Sequence, residues 1–148
     1  NAWHSHNRRI NSMTDFPIPA IPEHALPFWE AAEKSQLRYM ACNSCAHSFL
    51  PARTECPNCL AADLEWRMAS GKAQLISWVI YHRAFHPAFA DRLPYTVALV
   101  QLEEGPRMIS NIVEPDPDTA LTINLPLFVR FQDMGNLRIP VFSRQPKL

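Results

Sequence analysis

Four cysteines, Cys42, Cys45, Cys56 and Cys59, stand in two Cys-x2-Cys pairs separated by ten residues. Two residues between cysteines let one tight turn aim both sulfurs at a single ion, and the N–H groups of that turn can stabilise the thiolates. Two such knuckles complete a tetrahedron with no open position. Zinc is held this way in structural sites, whereas a catalytic zinc keeps a place for water. The spacing predicts one structural Zn2+ per chain, or iron in its place. A redox pair would need a single CxxC beside a βαβ unit, which the pattern lacks. The ten-residue gap is that of a ribbon rather than of a 2Fe–2S cluster. His47, just after the first pair, reads as a strand residue because four sulfurs already complete the shell.

With all four cysteines assigned to metal, no free thiol remains to act as a nucleophile. No GxSxG elbow, P-loop or GxGxxG occurs, so no catalytic residue is assigned. A second group of residues is suited to contact rather than chemistry. The segment 82–93 (HRAFHPAFADRL) mixes cations with Phe85 and Phe89, and Trp78 and Tyr81 stand just before it. One reading is a surface loop whose two phenylalanines cover a barrel end. The other is a binding surface built from Trp78, Tyr81, His82, Arg83, Phe85, His86, Phe89 and Arg92, because aromatic and Arg side chains anchor interfaces.

The elements that must position these groups are mainly strands. Residues 1–26 form an extended arm, rich in Pro from residue 14, that packs Phe16, Ile18 and Ile21 onto something; Met13 is a candidate native start. Residues 27–36 predict a short helix with Pro27 in its first turn, Glu30 and Glu33 near the positive end of the dipole, and Phe28, Ala31 and Ala32 on one face. That helix either docks onto the rest of the chain or presents Trp29 to a partner. Residues 37–68 form the cysteine ribbon, with strands at 37–40, 47–50 and 64–67. From residue 69 to 148 the pattern is β, with strands at 73–82, 95–102, 107–113, 127–132 and 137–142, rich in β-branched and aromatic residues. Turn signals separate them at Pro94, Glu104-Gly105-Pro106, residues 115–118 and Gly135-Asn136. Five short strands fit a small barrel of OB type; a five-strand sandwich would give a similar pattern.

The 148 residues are 47% hydrophobic, enough to bury a core. Lys+Arg and Asp+Glu balance at 14 each, and four thiolates with one divalent ion would shift the total to about −2. A nucleic-acid binder usually carries a basic excess, which is missing. With Gly at 3 and Pro at 14, loops are stiffened rather than flexible. No apolar run approaches the ~20 residues of a membrane span, and no signal-peptide pattern is present. Paired cysteines without such a signal point to metal rather than disulfides and to a cytoplasmic setting.

Several short motifs follow one another in order: Pro27-Phe28-Trp29-Glu30, Cys42-Asn43-Ser44-Cys45, Cys56-Pro57-Asn58-Cys59, Gly71, Pro94-Tyr95, Leu102-Glu103-Glu104-Gly105 and Ile139-Pro140-Val141-Phe142. This series, over roughly residues 24–143, resembles the DUF35 family of zinc-ribbon and OB-fold proteins linked to acyl-CoA metabolism. Three positions depart from the family pattern: Ala46 and Ala73 stand where Gly is common, and Asn124 replaces the Gly before the fourth barrel strand. The resemblance implies a rubredoxin-like ribbon, a C-terminal five-stranded OB barrel and a non-catalytic role. The expected partner is a thiolase-like or ketosynthase-like acyltransferase subunit carrying the nucleophilic Cys, in a hetero-oligomer with a CoA thioester at the interface. On that reading Phe28 and Trp29 join the loop as contact residues, with Arg83 and Arg92 near phosphates. The alternative is an OB protein that stacks single-stranded nucleic acid on Trp78 and Phe85, which the neutral charge disfavours. An independent acyl-CoA enzyme is disfavoured by the absence of a free nucleophile.

Overall fold

The computed structural model describes residues 20–113 and 120–146. The expected packing of Phe16 and Ile18 and the expected turn at 115–118 lie outside those residues. A 3-10 turn, Glu23–Ala25, leads into helix α1, Leu26–Glu33, with Pro27 in its first turn. The helix starts one residue earlier and stops three residues sooner than the sequence predicts. No acidic residue lies in its first turn, and Glu33 is its last residue, so the expected dipole pairing is not made. Ala31 and Ala32 are buried as predicted, while Phe28 packs half-buried against the barrel core. Arg138 reaches the other end of the helix, donating from Nη1 to the Ser35 hydroxyl at 3.0 Å.

The ribbon is a three-stranded antiparallel sheet in the order β2-β1-β3: β1 Arg38–Cys42, β2 Ser48–Phe49 and β3 Leu64–Met68. Its own core is small, with Met40, Cys42, Phe49 and Cys56 buried against a half-buried Trp66. A core of this size cannot hold a module of some thirty residues without a staple.

The rest of the chain closes into a barrel in the order β4-β5-β6-β8-β7, which decides for the barrel over the sandwich. The strands are β4 Lys72–Tyr81, β5 Tyr95–Leu102, β6 Arg107–Ile112, β7 Pro126–Met134 and β8 Leu137–Ser143. In β5 every second residue, Thr96, Ala98, Val100 and Leu102, is buried, the period of a half-covered strand. The barrel core centres on Leu75, Val100, Leu102, Leu127 and Phe142. Leu37 of the ribbon belongs to the same cluster, so ribbon and barrel share one core.

Two contacts fix the junction between them. Ser70 donates its N–H to Glu104 at 2.7 Å and its hydroxyl to Glu103 at 2.8 Å, so the Leu-Glu-Glu-Gly turn grips the connecting strand. Gly71, at φ +89, has a backbone that presses on β7: a Cβ there would lie 2.7 Å from Val129 Cγ1. Asn124, where the family has Gly, keeps the left-handed backbone at φ 66.

Candidate metal centre and contact surfaces

The two knuckles are built alike. In the first, Ala46 N–H donates to the Cys42 carbonyl at 2.9 Å, and Cys42 N–H to the His47 carbonyl at 2.9 Å. In the second, Leu60 N–H donates to the Cys56 carbonyl at 2.9 Å, and Cys56 N–H to the Ala61 carbonyl at 2.8 Å. In each, the residue after the second cysteine is left-handed, Ala46 at φ 63 and Leu60 at φ 66. Glycine would take that conformation without strain, so this sequence keeps the geometry at a cost.

These turns gather all four sulfurs within 4.8 Å of one another. Cys42 and Cys59 are 3.6 Å apart, as are Cys45 and Cys56. A tetrahedral zinc with ~2.3 Å bonds to sulfur needs its ligands about 3.8 Å apart, so the donor set fits that ion. Among the described residues, no His, Asp or Glu joins the group. His47 instead stacks on Phe49, ring centroids 5.9 Å apart. Cys42 and Cys56 are buried, while Cys45 and Cys59 face solvent.

The thiols are not equivalent. The Asn58 side-chain amide, 3.5 Å from the Cys45 sulfur, and the His47 backbone lower Cys45 to about 6. At Cys59 the Ala61 backbone works in the same direction, but loss of water and the sulfurs of Cys42, Cys45 and Cys56 outweigh it, pushing the thiol up to about 12. Four sulfurs in such contact cannot all carry charge without a cation between them. Sequence reading did not single out Asn58, whose backbone N–H also lies 3.4 Å from the Cys56 sulfur.

The predicted contact residues fall into two groups. At the loop, residues Pro87–Arg92 form a 3-10 helix capped by His86, whose Nδ1 accepts from Ala88 N–H at 3.1 Å. Phe85 is 79% exposed and meets Tyr81 edge-on at 6.0 Å. Phe89 lies against Tyr95 at 5.7 Å, and Tyr95 stacks on Tyr81 at 5.1 Å. His82 and Arg83 are exposed, and Arg92 lines a cavity of about 250 Å³ at the barrel end. Trp78 is placed differently: it packs against the barrel core opposite Ala98.

Phe28 and Trp29 form the second group, edge-to-face at 5.1 Å, and both line a cleft between α1, the ribbon and the barrel. The two groups are joined by side chains the sequence reading did not identify. On the outside of β4, β5 and β6, Tyr81 pairs with Tyr95, Val79 with Val97 and Leu99 with Ile109. Val79 is 58% exposed and Ile109 74%. An apolar band thus runs from Trp29 through Ile109 and Val79 to Phe85. Among the described residues, no helix is long and apolar enough to cross a membrane.

A four-cysteine metal ribbon on a closed five-stranded barrel defines a zinc-ribbon/OB-fold protein. The family model described as "ChsH2, rubredoxin-like zinc ribbon domain" matches residues 29–65, and "ChsH2, C-terminal OB-fold domain" matches residues 66–132. A chain of the solved structure "Ltp2-ChsH2(DUF35) aldolase" superposes with a TM-score of 0.75 at 34% identity, covering 85% of this chain and 98% of that one. The DUF35 domain-containing scaffold protein of Methanothermobacter thermautotrophicus is 40% identical over 53% of this chain and 59% of its own. The chain belongs to the DUF35 family. It is also 35% identical to the probable enoyl-CoA hydratase alpha subunit of Thermomonospora curvata, over 85% of this chain but only 39% of that protein. The chain therefore spans about two fifths of that relative and under two thirds of the scaffold protein.

Proposed function

We propose that this chain is the non-catalytic accessory part of a complex that processes acyl-CoA thioesters, with a thiolase-like or ketosynthase-like acyltransferase as its partner. One observation carries the reading: the match that covers 98% of its counterpart is to a chain in a structure named for two components and called an aldolase. Two features of this chain support it. Every cysteine sits in one metal cluster, which leaves no thiol for acyl transfer and gives the zinc a structural role in stapling the ribbon. The apolar band from Trp29 to Phe85 supplies the aromatic and aliphatic anchors of a protein interface, with Arg83 at its rim. A CoA thioester lies at that interface, in a cytoplasmic complex where the thiols stay reduced.

The test is purification of the tagged chain from its native host, with nuclease treatment and identification of what accompanies it. A thiolase-superfamily enzyme is expected; nucleic acid alone refutes the reading. The Thermomonospora curvata relative favours a second reading, in which the chain serves as a module of a hydratase assembly. A hydratase subunit in place of a thiolase-like one would select it. Phe85→Ala combined with Val79→Ser removes two exposed anchors. Losing a central anchor costs ~2 kcal/mol or more, so the complex should weaken by about thirtyfold with zinc content unchanged. Undiminished affinity would move the interface elsewhere.

A further inference from the structure

The cleft beside Trp29 exists because the barrel is poorly laced at one seam. β6 and β8 meet through a single parallel bridge, Ile112 with Phe142. Val113 N–H donates to the Phe142 carbonyl at 2.9 Å, and the ladder goes no further. The next β8 residue facing β6 is Pro140, which has no N–H to give. The Ser110 hydroxyl makes the substitute contact, donating to the Pro140 carbonyl at 2.9 Å. Beyond that point the strands part, and α1 and residues 50–52 of the ribbon roof the gap.

The enclosed cleft measures about 450 Å³, within the range of small-molecule sites. Its walls include Phe28, Trp29, Leu50, Met108, Ile109 and Ile139, and no charged residue lines it. Its two polar side chains have donors already engaged: Ser110 with Pro140, and Asn111 Nδ2 with the Thr96 carbonyl at 3.1 Å. A ligand here is offered apolar surface and little else. Asn111 and Ile139 also line the 250 Å³ cavity that contains Arg92 and Gln132, so the apolar chamber borders a polar one. Such a pair suits a molecule with a hydrocarbon body and a polar end.

We propose that the seam cleft holds the hydrocarbon body of an acyl thioester, its carbonyl end directed past Asn111 toward the polar cavity. This rests on the acyl-CoA reading above and assigns the acyl group a place on this chain rather than on the partner alone.

The experiment is calorimetric titration of the full zinc-containing chain with octanoyl-CoA, free CoA and octanoate. Octanoyl-CoA should bind about tenfold or more tightly than free CoA, since burying even two methylenes is worth that factor. It should also bind more tightly than octanoate, which lacks the thioester end. Ala25→Phe, which places a ring in the cleft, should remove the octanoyl advantage, and Trp29→Ala, which removes a wall, should reduce it. Both variants should keep their zinc and their weak affinity for free CoA. Equal binding of octanoyl-CoA and CoA, no binding at all, or full affinity in Ala25→Phe would overturn the cleft assignment. Octanoate binding as tightly as octanoyl-CoA would overturn the placement of the thioester. Co-purification of a thiolase-like enzyme is read separately, so failure here leaves the accessory reading standing, and the reverse.

Discussion

Replacing Gly71 by Ala probes how tightly the barrel closes where the ribbon enters it. The residue holds φ at +89, and an added Cβ would meet Val129 Cγ1 at 2.7 Å and Val129 Cβ at 3.7 Å. Neither side can easily retreat, because Val129 N–H donates to the Gly71 carbonyl at 2.8 Å and Ser70, one residue earlier, is held by Glu103 and Glu104. A positive φ costs a residue with a Cβ ~1–2 kcal/mol. Overpacking against a fixed neighbour adds ~1–3 kcal/mol. Gly71→Ala should therefore destabilise by roughly 2–5 kcal/mol, a large share of the ~5–15 kcal/mol that holds a domain together. Gly105 is the internal control. Its φ is +112 and nothing lies within 4 Å of an added Cβ, so Gly105→Ala carries the backbone cost alone. Urea denaturation of both variants at equal zinc occupancy separates the two contributions. Adding Val129→Ala to Gly71→Ala should make the pair less destabilising than the two changes taken singly would sum to. If Gly71→Ala costs no more than Gly105→Ala, or if Val129→Ala brings no relief, the steric argument is wrong.

The strained knuckles predict the opposite sign. Ala46→Gly and Leu60→Gly, at φ 63 and φ 66, should each stabilise the ribbon by about 0.5–1 kcal/mol, read as a rise in the urea midpoint. Cys56→Ser, at a fully buried ligand, should abolish zinc in elemental analysis and lower the melting temperature; retention of one zinc per chain would remove Cys56 from the set. Protons compete with zinc for sulfur, and the Cys59 thiol at about 12 must lose its proton to bind at neutral pH. Zinc affinity should therefore rise with pH and fall as pH drops through the Cys45 value of about 6, where that thiolate is also lost. A chromophoric chelator measures the release, and an occupancy indifferent to acid would contradict the thiolate site.

Where one residue and its near neighbours decide the outcome, the sequence was legible. The cysteine spacing gave the cluster, and alternation in 95–102 gave a strand whose buried positions follow the predicted period. What was not legible depends on which strand lies beside which. Trp78 is the plainest case. Strict alternation from Leu75 would point Trp78 outward, and it was accordingly a contact candidate. A register shift between Leu75 and Ser77 inserts one extra residue, so Leu75 and Trp78 both face the core. A bulge of this kind leaves no signature without Gly. The same dependence on partners hid the apolar band, since Val79, Val97, Leu99 and Ile109 look like ordinary β-formers until their pairing puts them together on an outer face.

Pro140 shows the limit most clearly. It was visible in the sequence as part of the terminal Ile-Pro-Val-Phe motif, and a proline in a strand marks an edge or an irregularity. Its consequence needed the topology. Paired with Phe131 on β7, it costs that side of the strand nothing, because its N–H is missing on the side that faces β6. A parallel closure built on one bridge is weak, and a proline next to that bridge keeps it weak. The barrel tolerates the gap because Ser110 satisfies the Pro140 carbonyl and because α1, pinned by Arg138, covers the opening. A strand replacing Pro140 with Val would regain a donor and could zip toward Ile139, narrowing the cleft. On this argument the cleft is a consequence of one missing hydrogen, and Pro140→Val should stabilise the fold while closing the site.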